Sequence, residues 1–234
     1  MAFHFKQFSI RQDQCAMKVS TDGILLGAWA SHPHCRTILD IGSGTGLLSL
    51  MLAQRYPEAQ ITAIEIETKA AQQCQENVGN SPWPERIKVV QGDVLKYEPK
   101  NRFDMIVCNP PYFPKAQEDQ SMSLKIARHQ IKLDWQTLFQ SVSRLINPQA
   151  SFHMIGPIEA LPAILEAAHL FSFSLIKKIQ VSYSPDKSPK RYLLSFTKVD
   201  GECEEEQLII QLGGANEYSH EFIQLTRDFY AFMP

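Results

Sequence analysis

Short apolar runs alternate with stretches of helical spacing through the middle of the chain. The runs have the length and composition of buried strands and lie at residues 37–41, 61–64, 87–90, 103–108 and 151–155. The stretches whose apolar residues recur at helical intervals are 47–56, 68–78, 134–146 and 158–169. This alternation of strand and helix is typical of a parallel sheet covered by helices on both faces.

The two ends of the chain follow different patterns. Apolar positions alternate over residues 3–10 and again over 15–19, which predicts a short hairpin, and Thr21-Asp22 then offers an N-cap for a helix through Trp29. A turn rich in Pro and Lys separates two predicted strands, at 174–183 and 192–197, as in an antiparallel hairpin. A last helix is predicted over 219–232 and would place four apolar side chains on one face: Phe222, Leu225, Phe229 and Phe232.

We therefore expect an α/β protein with helices on both faces of a mostly parallel, seven-stranded sheet that ends in an antiparallel C-terminal hairpin. No internal repeat or low-complexity linker divides the chain, so we expect one domain over residues 1–234. Its parts would be an N-terminal hairpin and helix (1–36) that cover a ligand site, a core (37–170), and a C-terminal hairpin and helix (171–234). Open α/β sheets bind ligands beyond the carboxyl ends of their strands, so the residues after each strand are the first candidates for chemistry.

Composition narrows the class of protein. The 234 residues are 44% hydrophobic and 21% charged, which is ordinary globular composition and excludes disordered, collagenous and membrane-spanning classes. No window approaches the roughly 18–20 apolar residues of a membrane span, and the first residues, MAFHFKQFSIR, lack the features of a secretory signal. The five cysteines are scattered without a C-x-x-C pair, which fits neither a zinc site nor a disulfide framework. We expect a reduced, soluble, cytoplasmic protein with no metal.

A glycine-rich turn follows the first strand of the alternating region, in the sequence Asp40-Ile-Gly-Ser-Gly-Thr-Gly46. Gly42, Gly44 and Gly46 allow a tight turn and a close approach of the backbone to a ligand, and the next helix would present its N-terminal N–H groups there. A dinucleotide-binding fingerprint would need glycine where Leu47 stands. The turn instead resembles motif I of class I methyltransferases, which have a Rossmann-like fold and use S-adenosyl-L-methionine. A tight turn with spare glycines is the alternative.

Three acids lie where this resemblance implies contacts with S-adenosyl-L-methionine. Glu65 would accept hydrogen bonds from the ribose hydroxyls, and Asp40 would face the methionine end. Asp93 would accept the amine of the adenine, with a backbone contact from Val94. An acid at a strand end is also a common helix N-cap, and this remains the alternative for each of them.

The next strand of the core is followed by Asn109-Pro110-Pro111-Tyr112, which resembles motif IV, [DNS]-PP-[YFW], of methyltransferases that act on amino groups conjugated to a π-system. Such an amine is a poor nucleophile because its lone pair is delocalised. The Asn109 side-chain oxygen and the Pro110 carbonyl would each accept one N–H, and Asn109 is also a candidate cofactor contact. Pro111 would help to hold that carbonyl in place, and Tyr112 would stack on the planar target. A rigid turn is the alternative.

A wider resemblance covers essentially the whole chain. The segments similar to the bacterial tRNA1(Val) (adenine-37-N6)-methyltransferases are residues 12–30, motif I, motif IV with Phe113, Ala127-Arg-His129 and Leu225-Thr-Arg-Asp-Phe-Tyr230. The resemblance implies N6-methylation of the adenine directly 3′ of the anticodon, with S-adenosyl-L-methionine as cofactor. It also implies that residues 18–29 lie beside the methionine end, which makes Asp22 a candidate cofactor contact, with a helix cap as the alternative.

A tRNA substrate predicts local basic patches, because the formal net charge of the whole chain is −2. Residues 177–191 carry five basic side chains against one acid, and residues 198–206 reverse that balance. The candidate RNA contacts are Lys115, Lys125, Arg128 and Lys132 after motif IV, and Lys187, Lys190 and Arg191 at the turn of the late hairpin. Each is also an ordinary residue of a surface turn.

Two other functions remain open at this point. Release-factor glutamine methyltransferases share Asn-Pro-Pro-Tyr, but they carry an N-terminal helical domain, for which residues 1–36 are too few. A non-catalytic protein of the same fold would be expected to have a broken motif IV, whereas the motif is intact here.

Overall fold

The chain folds around a mixed sheet, with a separate two-stranded hairpin at its N-terminal end. The computed structural model describes residues 2–15, 17–110, 133–214 and 217–233. The hairpin pairs β1 (Ala2–His4) with β2 (Ser9–Arg11). The strands of the sheet are β3 (Thr37–Ile41), β4 (Gln60–Glu65), β5 (Ile87–Gln91), β6 (Phe103–Cys108), β7 (Ile146–Pro157), β8 (Ser174–Ser182), β9 (Arg191–Thr197) and β10 (Glu204–Ile209). The helices are α1 (Thr21–Trp29), α2 (Leu47–Arg55), α3 (Thr68–Gly79), α4 (Trp135–Leu145), α5 (Leu161–Leu170) and α6 (His220–Thr226).

Within the described ranges the sheet has eight strands, in the spatial order β10-β8-β9-β7-β6-β3-β4-β5. The strands from β7 to β5 run parallel to one another, and β9 is antiparallel to both β7 and β8. The predicted α/β fold, with a mostly parallel sheet and an antiparallel C-terminal hairpin, is confirmed, and all seven predicted strands are present. The eighth strand, β10, pairs parallel with β8 and was not predicted.

The apolar pattern does not predict strand β10, because the sequence of this strand is Glu-Glu-Glu-Gln-Leu-Ile. In the sheet, Lys177 Nζ lies 2.5 Å from Glu206 Oε1 and 3.3 Å from Glu204 Oε2. Lys178 Nζ lies 2.9 Å from Glu205 Oε1. The basic side chains of β8 are therefore neutralised by the acidic side chains of β10, at an edge where charge also discourages pairing with another chain. The lysines of β8 and the glutamates of β10 therefore reflect the pairing of these two strands.

Side chains from both faces of the sheet pack into the core. Successive strand residues point to opposite faces, so Ile38 joins the cluster under α1 and α2, whereas Leu39 joins the cluster under α4 and α5. In the second cluster, the ring of Phe139 meets those of Phe152 and Phe196 edge to face, with centroids 5.4 and 5.1 Å apart. Helices thus cover both faces, as predicted. Among the described residues, no helix has the length and apolar character needed to cross a membrane.

The start of α1 differs by one residue from the prediction. The N-cap is Ser20, whose Oγ accepts a hydrogen bond from the Gly23 N–H at 3.3 Å. Thr21 already belongs to the helix, so the predicted cap at Thr21-Asp22 was wrong and the Asp22 side chain is available for another contact. The described residues of 15–19 form no strand, and the N-terminal hairpin uses residues 2–11 alone.

The C-terminal helix is shorter than predicted. It ends at Thr226, and Phe232 is 62% exposed, so the four apolar residues of 219–232 do not share one helical face. Beyond the helix the chain turns toward the N-terminal hairpin, where the Lys6 N–H donates to the Phe229 carbonyl and Phe5 pairs with Tyr230. A long-range contact therefore replaces further helical turns.

Candidate active site

The glycine-rich turn between β3 and α2 is held in a conformation that favours glycine. Gly42, Gly44 and Gly46 have φ angles of +70°, +52° and +84°. A Cβ atom at Gly42 or Gly44 would meet no heavy atom within 4 Å, so the backbone borders open space at both positions. The N–H groups of Gly42 and Ser43 both donate to the carbonyl of Ile64 at the end of β4, which ties the turn to the neighbouring strand.

We expect replacement of Gly46 by alanine to destabilise the protein. A Cβ there would lie 2.8 Å from Cys74 Sγ, and the positive φ strains any other residue, so the expected loss is about 1–3 kcal/mol. Urea denaturation monitored by circular dichroism measures it. The matched control is Gly79→Ala at the end of α3, where a Cβ meets nothing within 4 Å. Equal stability of Gly46→Ala and the wild type would contradict the strain.

Asp40 lies at the end of β3 beneath the glycine-rich turn and is completely buried. Its Oδ2 accepts hydrogen bonds from the Ser49 N–H at 3.1 Å and the Ser49 hydroxyl at 2.7 Å. Its Oδ1 has no hydrogen-bond partner in the described part of the chain. Burial raises the pKa of the carboxyl to about 7, although the bonds from Ser49 oppose that rise. The result is a buried carboxyl with one oxygen that has no hydrogen-bond partner in the described part of the chain.

Glu65 ends β4, on the strand next to the glycine-rich turn, and is 8% exposed. Its Oε2 accepts the Gly44 N–H at 2.8 Å and its Oε1 accepts the Glu67 N–H at 2.9 Å. Each carboxylate oxygen keeps further acceptor capacity. The next residue, Ile66, is 62% exposed, which is unusual for isoleucine. Sequence reasoning missed Ile66, and its only signal was a large apolar side chain directly after the strand-end acid.

Asp93 follows β5 and caps a short 3-10 helix, Val94–Lys96, by accepting the Leu95 N–H at 2.9 Å through Oδ1. The helix-cap alternative thus holds for Asp93. Val94 is buried, and its carbonyl accepts hydrogen bonds from the Tyr97 N–H and Arg144 Nη2. Asp93 and Val94 nevertheless lie at the carboxyl edge of the sheet with the glycine-rich turn.

Asn109 directly follows β6 and is half-buried, with its Nδ2 3.9 Å from the sulfur of Met17. Pro110 is buried. The other two residues of motif IV, Pro111 and Tyr112, lie outside the described residues, as do the candidate RNA contacts Lys115, Lys125, Arg128 and Lys132.

Strand register brings the candidates to one edge of the sheet. Ile41 is level with Ile64 on one side and Cys108 on the other, and Glu65 is level with Gln91. The residues that follow these strands therefore line the edge in the order Asn109, glycine-rich turn, Glu65, Asp93. Three strand spacings separate the ends of this row, a span of about 14 Å. The edge is long enough for an elongated ligand and carries the carboxyl groups of Glu65 and Asp93.

The remaining candidate contacts that the structure describes are Asp22, Lys187, Lys190 and Arg191. Arg191 Nε lies 3.0 Å from Asp22 Oδ2, so these two candidates form an ion pair. Lys187 Nζ lies 4.9 Å from the ring centroid of Tyr183, and Lys190 is exposed. Across the described residues, no group of three or more His, Cys, Asp or Glu side chains is arranged to hold a metal ion.

The chain is similar to known methyltransferases in sequence. A family model described as "Methyltransferase small domain" matches residues 20–134. A tRNA1(Val) (adenine(37)-N6)-methyltransferase of Bacteroides thetaiotaomicron is 42% identical over 229 residues, covering 97% of this chain and 96% of that protein. One from Haemophilus influenzae is 45% identical over 234 residues, covering 97% of each chain.

A solved structure extends the comparison to the fold. A predicted O-methyltransferase from Agrobacterium tumefaciens superimposes with a TM-score of 0.72 at 18% identity, over 89% of this chain and 96% of that one. At that identity the likeness concerns the fold alone. The two bacterial relatives, by contrast, match in sequence over nearly their whole length. The chain therefore belongs to the tRNA1(Val) (adenine(37)-N6)-methyltransferase family.

Proposed function

We propose that this protein transfers a methyl group from S-adenosyl-L-methionine to N6 of adenine 37 in tRNA1(Val). One observation carries the chemistry: Asn109, an acceptor for an amino group, lies one strand from the glycine-rich turn at the same edge of the sheet. The names of the relatives, which match over nearly the whole chain, support the tRNA and the nucleotide.

The described residues fit S-adenosyl-L-methionine. Asp40, whose buried Oδ1 has no partner in the described chain, would face the ammonium group, directly or through water. Glu65 would accept from the ribose hydroxyls, Ile66 would pack against the adenine, and Asp93 with the Val94 backbone would lie at the adenine end. The open space over Gly42 and Gly44 allows the ligand to approach the backbone. The sulfonium group, when bound, supplies an electrophilic methyl.

The chain's own residues activate the target amine by orienting it. The Asn109 side-chain oxygen and the Pro110 carbonyl would each accept one N–H, which favours a pyramidal nitrogen whose lone pair points at the methyl. Pro111 would restrict the backbone, and Tyr112 would stack on the flipped adenine. No strong base is needed, since the nitrogen can lose its proton after it becomes cationic. Positioning is thus the main contribution of the protein.

We expect cofactor affinity to fall as the pH falls below 7. Asp40 has a pKa of about 7 in the free protein, and a bound ammonium group favours its carboxylate, so binding below pH 7 must release a proton. Between pH 7.5 and 6, the dissociation constant should rise roughly sixfold, after allowing for the cofactor's own amine. Isothermal titration calorimetry in buffers of different ionisation enthalpy measures both quantities. Asp40→Asn should bind weakly without proton release; proton release equal to that of the wild type would contradict the assignment.

The tRNA contacts, the location and the domain organisation belong to the same proposal. Lys187 and Lys190, with Lys115, Lys125, Arg128 and Lys132, would contact phosphates, and the affinity for tRNA should then weaken steeply with salt.

A tRNA substrate is consistent with a location of the protein in the cytoplasm. Residues 1–36 and 171–234 would flank the core, 37–170, within one methyltransferase domain.

The direct test uses methyl-labelled S-adenosyl-L-methionine and unmodified tRNA1(Val). We expect label in N6-methyladenosine after digestion, and none when adenine 37 is replaced by guanine. Label on a protein glutamine, with none in RNA, would support a glutamine methyltransferase instead. Cofactor binding without label in either would support a non-catalytic protein.

A further inference from the structure

We propose that the ion pair between Asp22 and Arg191 is a positioning device for the active site, rather than a cofactor contact and a phosphate contact. This inference rests on the proposed function. The pair joins the first turn of α1 to the first residue of β9. The two residues are 169 positions apart in the sequence.

The geometry of the pair is that of a partly buried, oriented contact. Arg191 Nε lies 3.0 Å from Asp22 Oδ2, and the two side chains are 28% and 23% exposed. Arg191 Nη1 also donates to the Lys190 carbonyl at 2.9 Å, which fixes the plane of the guanidinium. A pair sheltered to this degree is screened less by salt than one in open solvent. It therefore restrains the first turn of α1.

That turn touches both halves of the active site. A Cβ built on Gly23 would lie 2.9 Å from the Leu47 side chain and 3.7 Å from Asn109 Nδ2. Leu47 is the first residue of α2, directly behind the glycine-rich turn, and Asn109 begins motif IV. A shift of α1 would consequently displace the cofactor turn and the target-amine acceptor together.

Arg191 is placed to act as the anchor for this turn. It pairs in register with Pro157 at the end of β7, which runs parallel to β6, so it lies at the same carboxyl edge as Asn109. Its Nε is already paired with Asp22, whose carboxylate offsets the positive charge that would attract a phosphate. Likewise, the carboxylate of Asp22, which was a candidate cofactor contact, is turned toward Arg191. Both residues therefore act through the position of α1.

The test is a double-mutant cycle with charge reversal. The variants are Asp22→Asn, Arg191→Gln, both together, and the exchanged pair Asp22→Arg with Arg191→Asp. For each we would measure the cofactor dissociation constant by calorimetry, kcat and KM for tRNA methylation, the tRNA dissociation constant over a salt series, and Tm. The matched control removes the Lys178–Glu205 pair on the far edge of the sheet, with Lys178→Gln and Glu205→Gln.

We expect each single variant to weaken cofactor binding and kcat about tenfold, a size typical of coupled contacts. The double variant should lose no more cofactor affinity and kcat than the single variant with the larger loss. The exchanged pair should recover part of that loss. The tRNA dissociation constant and its salt dependence should stay near those of the wild type, and the control pair should change neither kcat nor affinity for the cofactor.

Three results would overturn the inference. If Arg191→Gln alone weakens tRNA binding and lowers the salt slope by about one, Arg191 is a phosphate contact. If Asp22→Asn alone abolishes cofactor binding, Asp22 is a direct cofactor ligand. Additive losses in cofactor affinity without recovery in the exchanged pair would exclude coupling. A wild-type protein that binds cofactor but methylates no tRNA would count against the proposed function, and the calorimetric cycle would still decide the role of the pair.

Discussion

Asn109→Ala is expected to lower kcat for adenine methylation by about 10²–10³-fold while the dissociation constant of S-adenosyl-L-methionine stays near that of the wild type. The side chain lies at the end of β6, and its oxygen would accept one N–H of the target amine only as that nitrogen becomes pyramidal. Removing such an acceptor costs transition-state stabilisation rather than cofactor binding. Single-turnover methylation of tRNA and calorimetry with the cofactor separate the two effects.

The control for this variant is Asn109→Asp, because aspartate offers an acceptor oxygen of the same reach. We expect its rate to lie between those of the wild type and Asn109→Ala. If Asn109→Ala kept the wild-type rate, motif IV would have no part in catalysis. If both variants lost cofactor affinity together, Asn109 would be a structural residue of the cofactor site.

Glu65→Ala is expected to weaken cofactor binding by about 100-fold, because two charge-assisted hydrogen bonds to the ribose would be lost. The change would also leave the Gly44 N–H without the acceptor that now holds it at 2.8 Å, so the glycine-rich turn would lose its restraint. Calorimetry at several temperatures measures the affinity. We expect kcat at saturating cofactor to change much less, since Glu65 lies one strand beyond the turn from Asn109.

Glu67→Gln provides the matched control for Glu65→Ala. Glu67 is an exposed acid two residues away that caps α3 through the N–H groups of Lys69 and Ala70. Gln keeps an acceptor oxygen and loses only the charge at the helix N-terminus, so helix stability should change by less than about 1 kcal/mol and cofactor affinity should stay almost unchanged. Equal losses of affinity in both variants would show that Glu65 acts through local structure rather than through the ribose.

Local patterns predicted much of the site because they record what each short segment buries. Strands buried on both faces appear as continuous apolar runs, and the residues after them must lie at one edge of a parallel sheet. Glu65, Asp93 and Asn109 were therefore candidates because each ends or follows a strand, and the resemblance added Asp40 as a residue that faces the cofactor. The glycines of the turn permit its positive φ angles but do not dictate them, since Gly79 and other glycines of the chain have none.

The sequence by itself thus determined the class of fold and which residues follow its strands, because these depend on residue type and on spacing within one segment. The type of chemistry was implied by the resemblance of motifs I and IV, and the order of the site along the sheet edge depends on the strand order of the folded sheet. Only the tertiary structure decided the ion pair of Asp22 with Arg191, the acidic strand β10 against the lysines of β8, and the early end of α6. These features depend on side chains that are distant in sequence and close in space. No local period records such a contact, so its partner becomes visible only when the chain has folded.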